Sequence, residues 1–307
     1  MYLPDIDQAL QQLQQTLSNI YDIGEAKAIS NIVLEHLLQM NRLSLQINKH
    51  HSLSANQFLQ LQEITKRLLQ NEPVQYVLGE TEFYGLILKV NSSVLIPRQE
   101  TEELVEWITL SIPHYIYMLP WTSNNFNILD IGVGSGCISL ALKKEYPNAN
   151  ITGIDVSEDA LSVAQQNSDL LQLPIDLQKI DVLDRTLWDL LPNYHIIVSN
   201  PPYICESEKE ILDENVVRYE PELALFVADT DPLIFYKTIA DLALLKLHKN
   251  SILFFEVSEH FAEDCKEMLL KKGFQARLRK DINGKSRMIQ ASIDKNLHKT
   301  SNLSEYE

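Results

Sequence analysis

Apolar residues near the start of the chain recur at helical spacing. Five of them follow at intervals of 4, 3, 4 and 3 residues: Ile6, Leu10, Leu13, Leu17 and Ile20. This spacing predicts one apolar face of a helix, and Pro4 with Asp5 suits its start. Two further helices are predicted. The first, over residues 25–40, has apolar positions at Ile29, Ile32, Val33 and Met40, and the second, over 54–70, follows the candidate cap Ser54. Residues 1–73 are therefore predicted to form a small all-α domain.

The pattern changes from helical spacing to alternation at Pro73. Leu86, Leu88 and Val90 stand at alternate positions, and Gly79 and Gly85 stand where turns are needed. Alternation with period two is typical of a strand that is buried on one face. Residues 74–98 are therefore predicted to form a β-hairpin connector.

Strands and helices alternate along the rest of the chain. After a short helix within 100–112, the predicted strands are 127–131, 150–155, 177–181, 195–200, 251–258, 274–282 and 286–293, and the predicted helices are 137–146, 157–171 and 261–273. Such alternation predicts a Rossmann-like α/β fold with a doubly wound, mostly parallel sheet. Two closing strands with no long helix between them favour an antiparallel last strand. This domain is expected to span 99–295, with a frayed polar tail at 296–307.

The net charge limits the possible partners. The 307 residues are 45% hydrophobic and 22% charged, which is typical of a globular protein, but the net charge is −16. Such a balance repels phosphate backbones, so nucleic acid is disfavoured as a partner.

Cysteine and histidine patterns predict neither a disulfide framework nor a zinc site. Cys137, Cys205 and Cys265 lie far apart, and no H-E-x-x-H motif occurs among the eight histidines. The chain begins without a basic and apolar leader and contains no apolar run of the ~18 residues that a membrane span needs. A metal-free, cytoplasmic protein without a membrane segment is expected.

A glycine-rich loop follows the first strand of the sheet. Gly132, Val133, Gly134, Ser135 and Gly136 form a G-x-G-x-G pattern, in which the backbone can approach a ligand closely. The third glycine comes one residue earlier than in the dinucleotide pattern, which favours a nucleoside without a phosphate. A tight turn with no ligand is the alternative.

Acidic residues end the next two strands. Asp155 comes 19 residues after Gly136 and could accept hydrogen bonds from both ribose hydroxyls, or it could cap the following helix, a role that Ser157 could also fill. Asp181 and Val182 could line an adenine site, although Asp181 could equally be a plain residue at a strand end. Strand ends that converge in this way predict a ligand crevice.

The stretch Asn200-Pro201-Pro202-Tyr203 ends the fourth strand. Proline cannot continue a strand ladder, so the turn is stiff, which fits a simple strand exit or a preformed binding loop. With S-adenosylmethionine as the ligand, the Asn200 oxygen and a carbonyl of the Pro-Pro turn could accept the N–H protons of a planar nitrogen that is methylated. Tyr203 could stack on the planar group.

Over nearly its full length the chain resembles the protein-(glutamine-N5) methyltransferases of the HemK/PrmC family. The resemblance rests on the glycine loop, the N-P-P-Y stretch and the helical start. Further motifs that carry it are Gln75-Tyr76 with Gly79, Phe83-Tyr84-Gly85, VLIPRQETEELV at 94–105, RYEPELAL at 218–225 and KDINGKSRM at 280–288. It implies methyl transfer from S-adenosylmethionine to the glutamine of the Gly-Gly-Gln motif in peptide-chain release factors, which supports translation termination.

The resemblance also implies residue roles. The cofactor would contact Gly132–Gly136, Asp155, Asp181, Val182 and Asn200, and Asn200–Tyr203 would cradle the substrate and carry the catalysis. Arg98 and Glu100 could bind substrate or form a structural ion pair with each other. Gln99, where the family often has proline, and the stretch EVSEH at 256–260 depart from the family pattern.

Two other functions remain open on the residues alone. An N-P-P-Y cradle could also present adenine or guanine of nucleic acid, and a non-enzymatic S-adenosylmethionine-binding protein would share the glycine loop. Release factors are the expected partners, and a monomer is expected.

Overall fold

A computed structural model of the chain describes residues 3–118 and 126–293. The predicted tail, 296–307, lies outside the described residues. The chain divides into two units, one formed by the residues up to Glu80 with Asp213–Tyr219, and the other by Thr81–Leu212 with the residues from Glu220 onward.

The first unit is helical. Its helices are α1 (Ile6–Leu17), α2 (Ile23–Leu38), α3 (Arg42–Ile47), α4 (Ala55–Leu68), α5 (Val74–Leu78) and α9 (Glu214–Tyr219). Asp5 and Ser54 each begin a helix with a capping box, in which the side chain of the cap and that of the third helical residue bond reciprocally to backbone N–H groups. The predicted cap Ser54 is thus confirmed. Two of the predicted apolar positions are wrong. Ile20 of the first helix is 46% exposed because α1 already ends at Leu17, and Ile32 of the second helix is 45% exposed on α2.

The hairpin consists of β1 (Glu80–Phe83) and β2 (Leu86–Lys89). Leu86, Leu88 and Val90 are buried, as their alternation predicts. Gly79 and Gly85 both have positive φ, which glycine adopts without strain, so the predicted turns lie at both positions. The hairpin lies within the predicted connector, whereas the first residues of that range form α5.

The second unit is built on a seven-stranded sheet. Its strands are β3 (Asn127–Ile131), β4 (Asn150–Asp155), β5 (Asp176–Lys179), β6 (Tyr194–Ser199), β9 (Leu247–Glu256), β10 (Gln275–Lys280) and β11 (Ser286–Ser292). They lie in the order β10-β11-β9-β6-β3-β4-β5, and β11 alone runs against its neighbours. The predicted fold class, with a mostly parallel sheet and an antiparallel last strand, is confirmed.

Helices and two short strands complete this unit. They are α6 (Gln99–Met118), α7 (Cys137–Glu145), α8 (Glu158–Leu171), α10 (Glu222–Leu225), α11 (Ile234–Lys246), α12 (Ala262–Lys271), β7 (Ile204–Cys205) and β8 (Phe226–Val227). The helix predicted within 100–112 is longer than expected, and α11 corresponds to no predicted element. Apolar side chains from both faces of the sheet form two buried clusters, so the strand ends are held firmly.

Gly153 gives the glycine loop room to lie against the sheet. A Cβ atom at this position of β4 would lie 2.7 Å from Val133 Cγ2 and 3.0 Å from Leu177 Cδ2. We therefore expect Gly153→Ala to destabilise the protein by ~1–3 kcal/mol, because overpacking displaces Val133. Denaturant unfolding measures the change.

The matched control is the same substitution in a Val133→Ala background, which removes the 2.7 Å contact with Val133 Cγ2. There the Gly153→Ala substitution should cost less. An equal cost in both backgrounds would mean that Val133 is not the group that is displaced.

Candidate active site

A cavity of about 250 Å³ opens at the carboxyl ends of the central strands. The loops that follow β3, β4, β5 and β6 all contribute to its wall, and so do six residues within the range 93–101 and residues of α10 and α11. The sheet order reverses between β3 and β6, because the chain first adds β4 and β5 on one side of β3 and then returns to its other side. Loops diverge at such a point, which is where open α/β sheets bind ligands.

The glycine loop follows β3 with three left-handed residues. Gly132, Gly134 and Gly136 have φ of 75°, 53° and 83°. The N–H groups of Gly132 and Val133 donate to the Ile154 carbonyl at 2.9 and 3.0 Å. Asn167 of α8 donates to the Ser135 carbonyl at 2.9 Å. The loop is therefore fixed in place, and four of its five predicted residues, Gly132 to Ser135, line the cavity, whereas Gly136 does not.

Asp155 turns its carboxylate toward this loop at the end of β4. Its Oδ2 accepts from Gly134 N at 3.0 Å and its Oδ1 from Ser157 N at 3.0 Å. Ser157 itself caps α8 by accepting from Ala160 N, so it fills the cap role that Asp155 could have taken. Burial raises the pKa of Asp155, and the backbone donors oppose that shift. Each carboxylate oxygen keeps a lone pair for a ligand hydroxyl.

Asp181 and Val182 lie side by side after β5 and also line the cavity. Asp181 Oδ1 accepts from the N–H of Leu183 at 2.9 Å, which holds the turn, and the Val182 side chain is buried. The structure thus brings both predicted residues to the same cavity as Asp155.

The N-P-P-Y stretch leaves β6 on the opposite side of the cavity from Asp155. Asn200, Pro201 and Pro202 line the cavity, whereas Tyr203 is not among its lining residues. The Tyr203 ring packs against the apolar core and its hydroxyl lies 3.4 Å from Glu256 Oε1, to which it donates. Burial, with Glu256 next in effect, raises the pKa of Tyr203.

Behind Asn200 lies a buried carboxylate that sequence reasoning missed. Thr101 Oγ1 donates to Glu256 Oε2 at 2.6 Å, and Asn200 Nδ2 donates to Thr101 Oγ1 at 3.3 Å. Burial raises the pKa of Glu256 to about 7, the bond from Thr101 opposes the shift, and the charges of Glu100 and Arg287 act in opposite directions. Glu256 begins the stretch EVSEH at 256–260, and its place at the end of a predicted strand was a sequence signal for it.

Arg98 lines the cavity and pairs with Glu220, not with Glu100. Its Nη2 lies 2.5 Å from Glu220 Oε1, and the other Glu220 oxygen accepts from Ile96 N at 3.3 Å. Glu220 is buried and directly precedes Pro221, which also lines the cavity. The pair joins two parts of the cavity wall. Glu100 is half-buried and does not line the cavity.

Two buried oxygens near the glycine loop lack partners among the described residues. They are Ser135 Oγ, on a cavity-lining residue, and Asp130 Oδ1, at the end of β3. Burial raises the pKa of Asp130 to about 7, although its other oxygen accepts from the backbone and hydroxyl of Ser139. Of the two, only Ser135 lines the cavity, where its hydroxyl and the carboxylates of Asp155 and Asp181 offer acceptors to a ligand that brings hydrogen-bond donors. S-adenosylmethionine carries an ammonium group, ribose hydroxyls and an adenine amine, so the residues present fit it.

Metal and membrane features are absent from the part of the chain that the structure describes. No three His, Cys, Asp or Glu side chains in residues 3–118 and 126–293 are grouped as a metal site would require. None of the helices in these residues has the length and apolar character to cross a membrane.

Two family models match different parts of the chain. Residues 8–79 match the family described as PrmC N-terminal domain, and residues 116–219 match the methyltransferase small domain. Among solved structures, the catalytic domain of hMettl16 superposes with a TM-score of 0.52 at 15% identity, covering 79% of this chain and 84% of that chain, which shows a shared fold. By class, then, the protein is an S-adenosylmethionine-dependent methyltransferase.

Two relatives that match over nearly their full length show which family within this class the chain belongs to. The release factor glutamine methyltransferase of Flavobacterium psychrophilum is 42% identical over 92% of this chain and 97% of its own length. The release factor glutamine methyltransferase of Bacteroides thetaiotaomicron is 38% identical over 91% of this chain and 97% of its own. The chain belongs to the release factor glutamine methyltransferase family.

The raised pKa of Glu256 predicts a pH-dependent stability difference. A carboxyl whose folded pKa of about 7 exceeds its ordinary 4.5 stabilises the fold below pH 4.5, and that contribution is lost as the pH rises toward 7. Gln cannot titrate. Relative to the Glu256→Gln variant, the unsubstituted protein should therefore lose about 2–3 kcal/mol of unfolding free energy between pH 5 and pH 8. Urea unfolding at both pH values measures this difference.

The control is Glu210→Gln, which removes the same charge from an exposed position. Its difference from the unsubstituted protein should change little with pH. A Glu256→Gln difference that is the same at pH 5 and pH 8 would show that Glu256 titrates normally.

Proposed function

We propose that this protein transfers a methyl group from S-adenosylmethionine to the side-chain amide nitrogen (N5) of the glutamine in the Gly-Gly-Gln motif of peptide-chain release factors. One observation carries the proposal. A single cavity is lined by the glycine loop, by Asp155 and by the Asn200-Pro201-Pro202 turn, in a chain that is 42% identical to a release factor glutamine methyltransferase.

The glycine loop and the acidic strand ends are proposed to hold the cofactor. Gly132–Gly136 would approach it by backbone, Asp155 would accept from the ribose hydroxyls, and Asp181 with Val182 would face the adenine. When bound, S-adenosylmethionine supplies an electrophilic methyl group on a positively charged sulfur. Because three hydrogen bonds connect the glycine loop to β4 and α8, the fold fixes its shape.

The Asn200-Pro201-Pro202 turn is proposed to hold the amide that is methylated. An amide nitrogen is a weak nucleophile because its lone pair is delocalised into the carbonyl. Acceptors for both of its protons, the Asn200 Oδ1 atom and a main-chain carbonyl of the turn, orient the nitrogen and favour its pyramidal form. The proton that the product nitrogen loses passes to solvent. A stiff turn keeps these acceptors in place, as transition-state stabilisation requires.

Three further assignments remain predictions. Arg98 lines the cavity and is proposed to contact substrate while it pairs with Glu220. Glu100 is also proposed to contact substrate. Tyr203 is proposed to flank the substrate amide, with its hydroxyl on Glu256. Because release factors act during translation, we place the protein in the cytoplasm, and we expect a monomer.

An adenine or guanine amine is the alternative acceptor. The net charge of −16 opposes binding of a phosphate backbone. Labelled methyl transfer to purified release factor, located by mass spectrometry of the Gly-Gly-Gln peptide, tests the proposal directly. Transfer to RNA or DNA and not to release factor would overturn it.

Asn200→Ala and Asp155→Ala should change different quantities, the turnover number and the cofactor affinity respectively. Asn200→Ala is expected to lower the turnover number by ~10²-fold or more with little change in cofactor affinity, because a preorganised acceptor is lost. Asp155→Ala should weaken S-adenosylmethionine binding, because two hydrogen bonds to a carboxylate are worth roughly 1.5–3 kcal/mol each. Calorimetry gives the affinity and steady-state kinetics the turnover. The assignments are wrong if both variants change the same quantity.

The helical unit is proposed to recognise the release factor, since a glutamine amide alone is too small to give specificity. Three apolar residues of this unit are strongly exposed: Ile23 (81%), Leu43 (67%) and Ile47 (74%). Replacing all three by Ser should raise KM for intact release factor about tenfold or more. Activity on a short Gly-Gly-Gln peptide should change little.

The matched control replaces Leu190 and Leu245, exposed residues near the amino ends of β6 and β9, by Ser. These lie at the edge of the sheet away from the cavity, so both substrates should be used normally. Equal losses on protein and peptide in the triple variant would mean that the helical unit does not select the substrate.

A further inference from the structure

Asn200 and the buried Glu256 are neighbours across the sheet. In the parallel pair β6 and β9, Ser199 is in register with Phe255, so Asn200 and Glu256 are the next residues on each strand. Thr101, in the first turn of α6, bridges them through the two hydrogen bonds of 3.3 Å and 2.6 Å. This bridge lies at the wall of the cavity, which Thr101 and Asn200 both line.

The hydrogen-bond capacity of each group fixes the direction of this bridge. The Thr101 hydroxyl has one hydrogen, and an ionised carboxylate can only accept, so that hydrogen goes to Glu256 Oε2. The length of 2.6 Å is typical of a hydroxyl that donates to a carboxylate. Thr101 Oγ1 is left as an acceptor, and it can receive a hydrogen bond from Asn200 only if the Asn200 nitrogen faces it.

The direction of these two hydrogen bonds is the same whether Glu256 is ionised or protonated. Its two oxygens face different donors, Thr101 on Oε2 at 2.6 Å and Tyr203 on Oε1 at 3.4 Å. A proton on Glu256 is best placed on Oε1, where the contact is long and the Tyr203 hydroxyl can reverse its role. Oε2 then still accepts from Thr101. The charged residues whose fields act on Glu256, Glu100 and Arg287, have opposite signs.

Burial, strand pairing and a hydrogen bond fix the position of Glu256. It is 1% exposed, it pairs with Met288 of β11, and its main-chain carbonyl accepts from the Tyr236 hydroxyl at 3.2 Å. Thr101 is also buried. With its nitrogen on Thr101, the Asn200 amide has its oxygen Oδ1 free of hydrogen bonds from the described residues.

We propose that Glu256, acting through Thr101, is a positioning residue that keeps the Asn200 amide oxygen directed at the amide nitrogen to be methylated. A reversed Asn200 would present an NH2 group to the substrate NH2 group, so the acceptor would be lost. The inference rests on the proposed function, in which Asn200 Oδ1 accepts from the substrate.

Thr101→Val tests the bridge, because it keeps the side-chain shape and removes the hydroxyl. We expect the turnover number to fall about tenfold or more while KM for cofactor changes little, and Thr101→Ser should restore most of the rate. Glu256→Leu, which removes both acceptor oxygens, should also lower turnover, because the Thr101 hydroxyl then has no carboxylate to accept its hydrogen. Cofactor binding by calorimetry verifies that each variant is folded.

The decisive comparison is made in an Asn200→Ala background. If Thr101 and Glu256 act through Asn200, then Thr101→Val and Glu256→Leu should cause no further loss of turnover there. Losses of the same factor in both backgrounds, or full activity of Thr101→Val, would overturn the inference.

The proposed function is tested separately by the unsubstituted protein. If it transfers no methyl group to release factor, the proposed function fails, whatever the variants do. If it transfers methyl groups normally and the substitutions are additive with Asn200→Ala, only the positioning role of Glu256 fails.

Discussion

The site depends on the parallel pairing of β3 with both β4 and β6. Because the chain moves from β3 to one side and later returns to the other, the loops after β3 and β6 separate at the carboxyl edge and leave a crevice. The glycine loop and the Asn200-Pro201-Pro202 turn both line this crevice. If β6 had been added beyond β5, the turn that follows it would not lie beside the glycine loop.

Hydrogen bonds between backbone groups then give the glycine loop its shape. The Ile154 carbonyl at the end of β4 accepts from two successive N–H groups, and Asn167 reaches the same loop from α8. Left-handed glycines allow this path, and the missing side chain of Gly153 lets Val133 lie against the sheet. The shape of the glycine loop is therefore a property of the folded scaffold.

Three buried carboxyl groups surround the cavity, and each is compensated differently. Glu220 has a guanidinium partner, Glu256 has two hydroxyl donors, and Asp130 has Ser139 on one oxygen only. Burying a carboxylate is costly, so such groups are kept where they orient something. Glu220 joins two parts of the cavity wall, and Glu256 orients the amide of Asn200 through Thr101.

Local patterns determined much of this protein. Capping at Ser54, the alternation at Leu86 and Leu88, the G-x-G-x-G loop and the acidic end of β4 depend on residues close together in sequence, and each predicted the element found there. Prediction was wrong at Ile20, because periodicity does not say where a helix ends, and it gave no element at α11, which is buried on several sides and so has weak periodicity. Only the tertiary structure decided the partners of the site residues. Arg98 meets Glu220 across 122 residues and Thr101 meets Glu256 across 155, because those contacts follow from strand order and register, which depend on packing of the whole sheet and not on any local pattern.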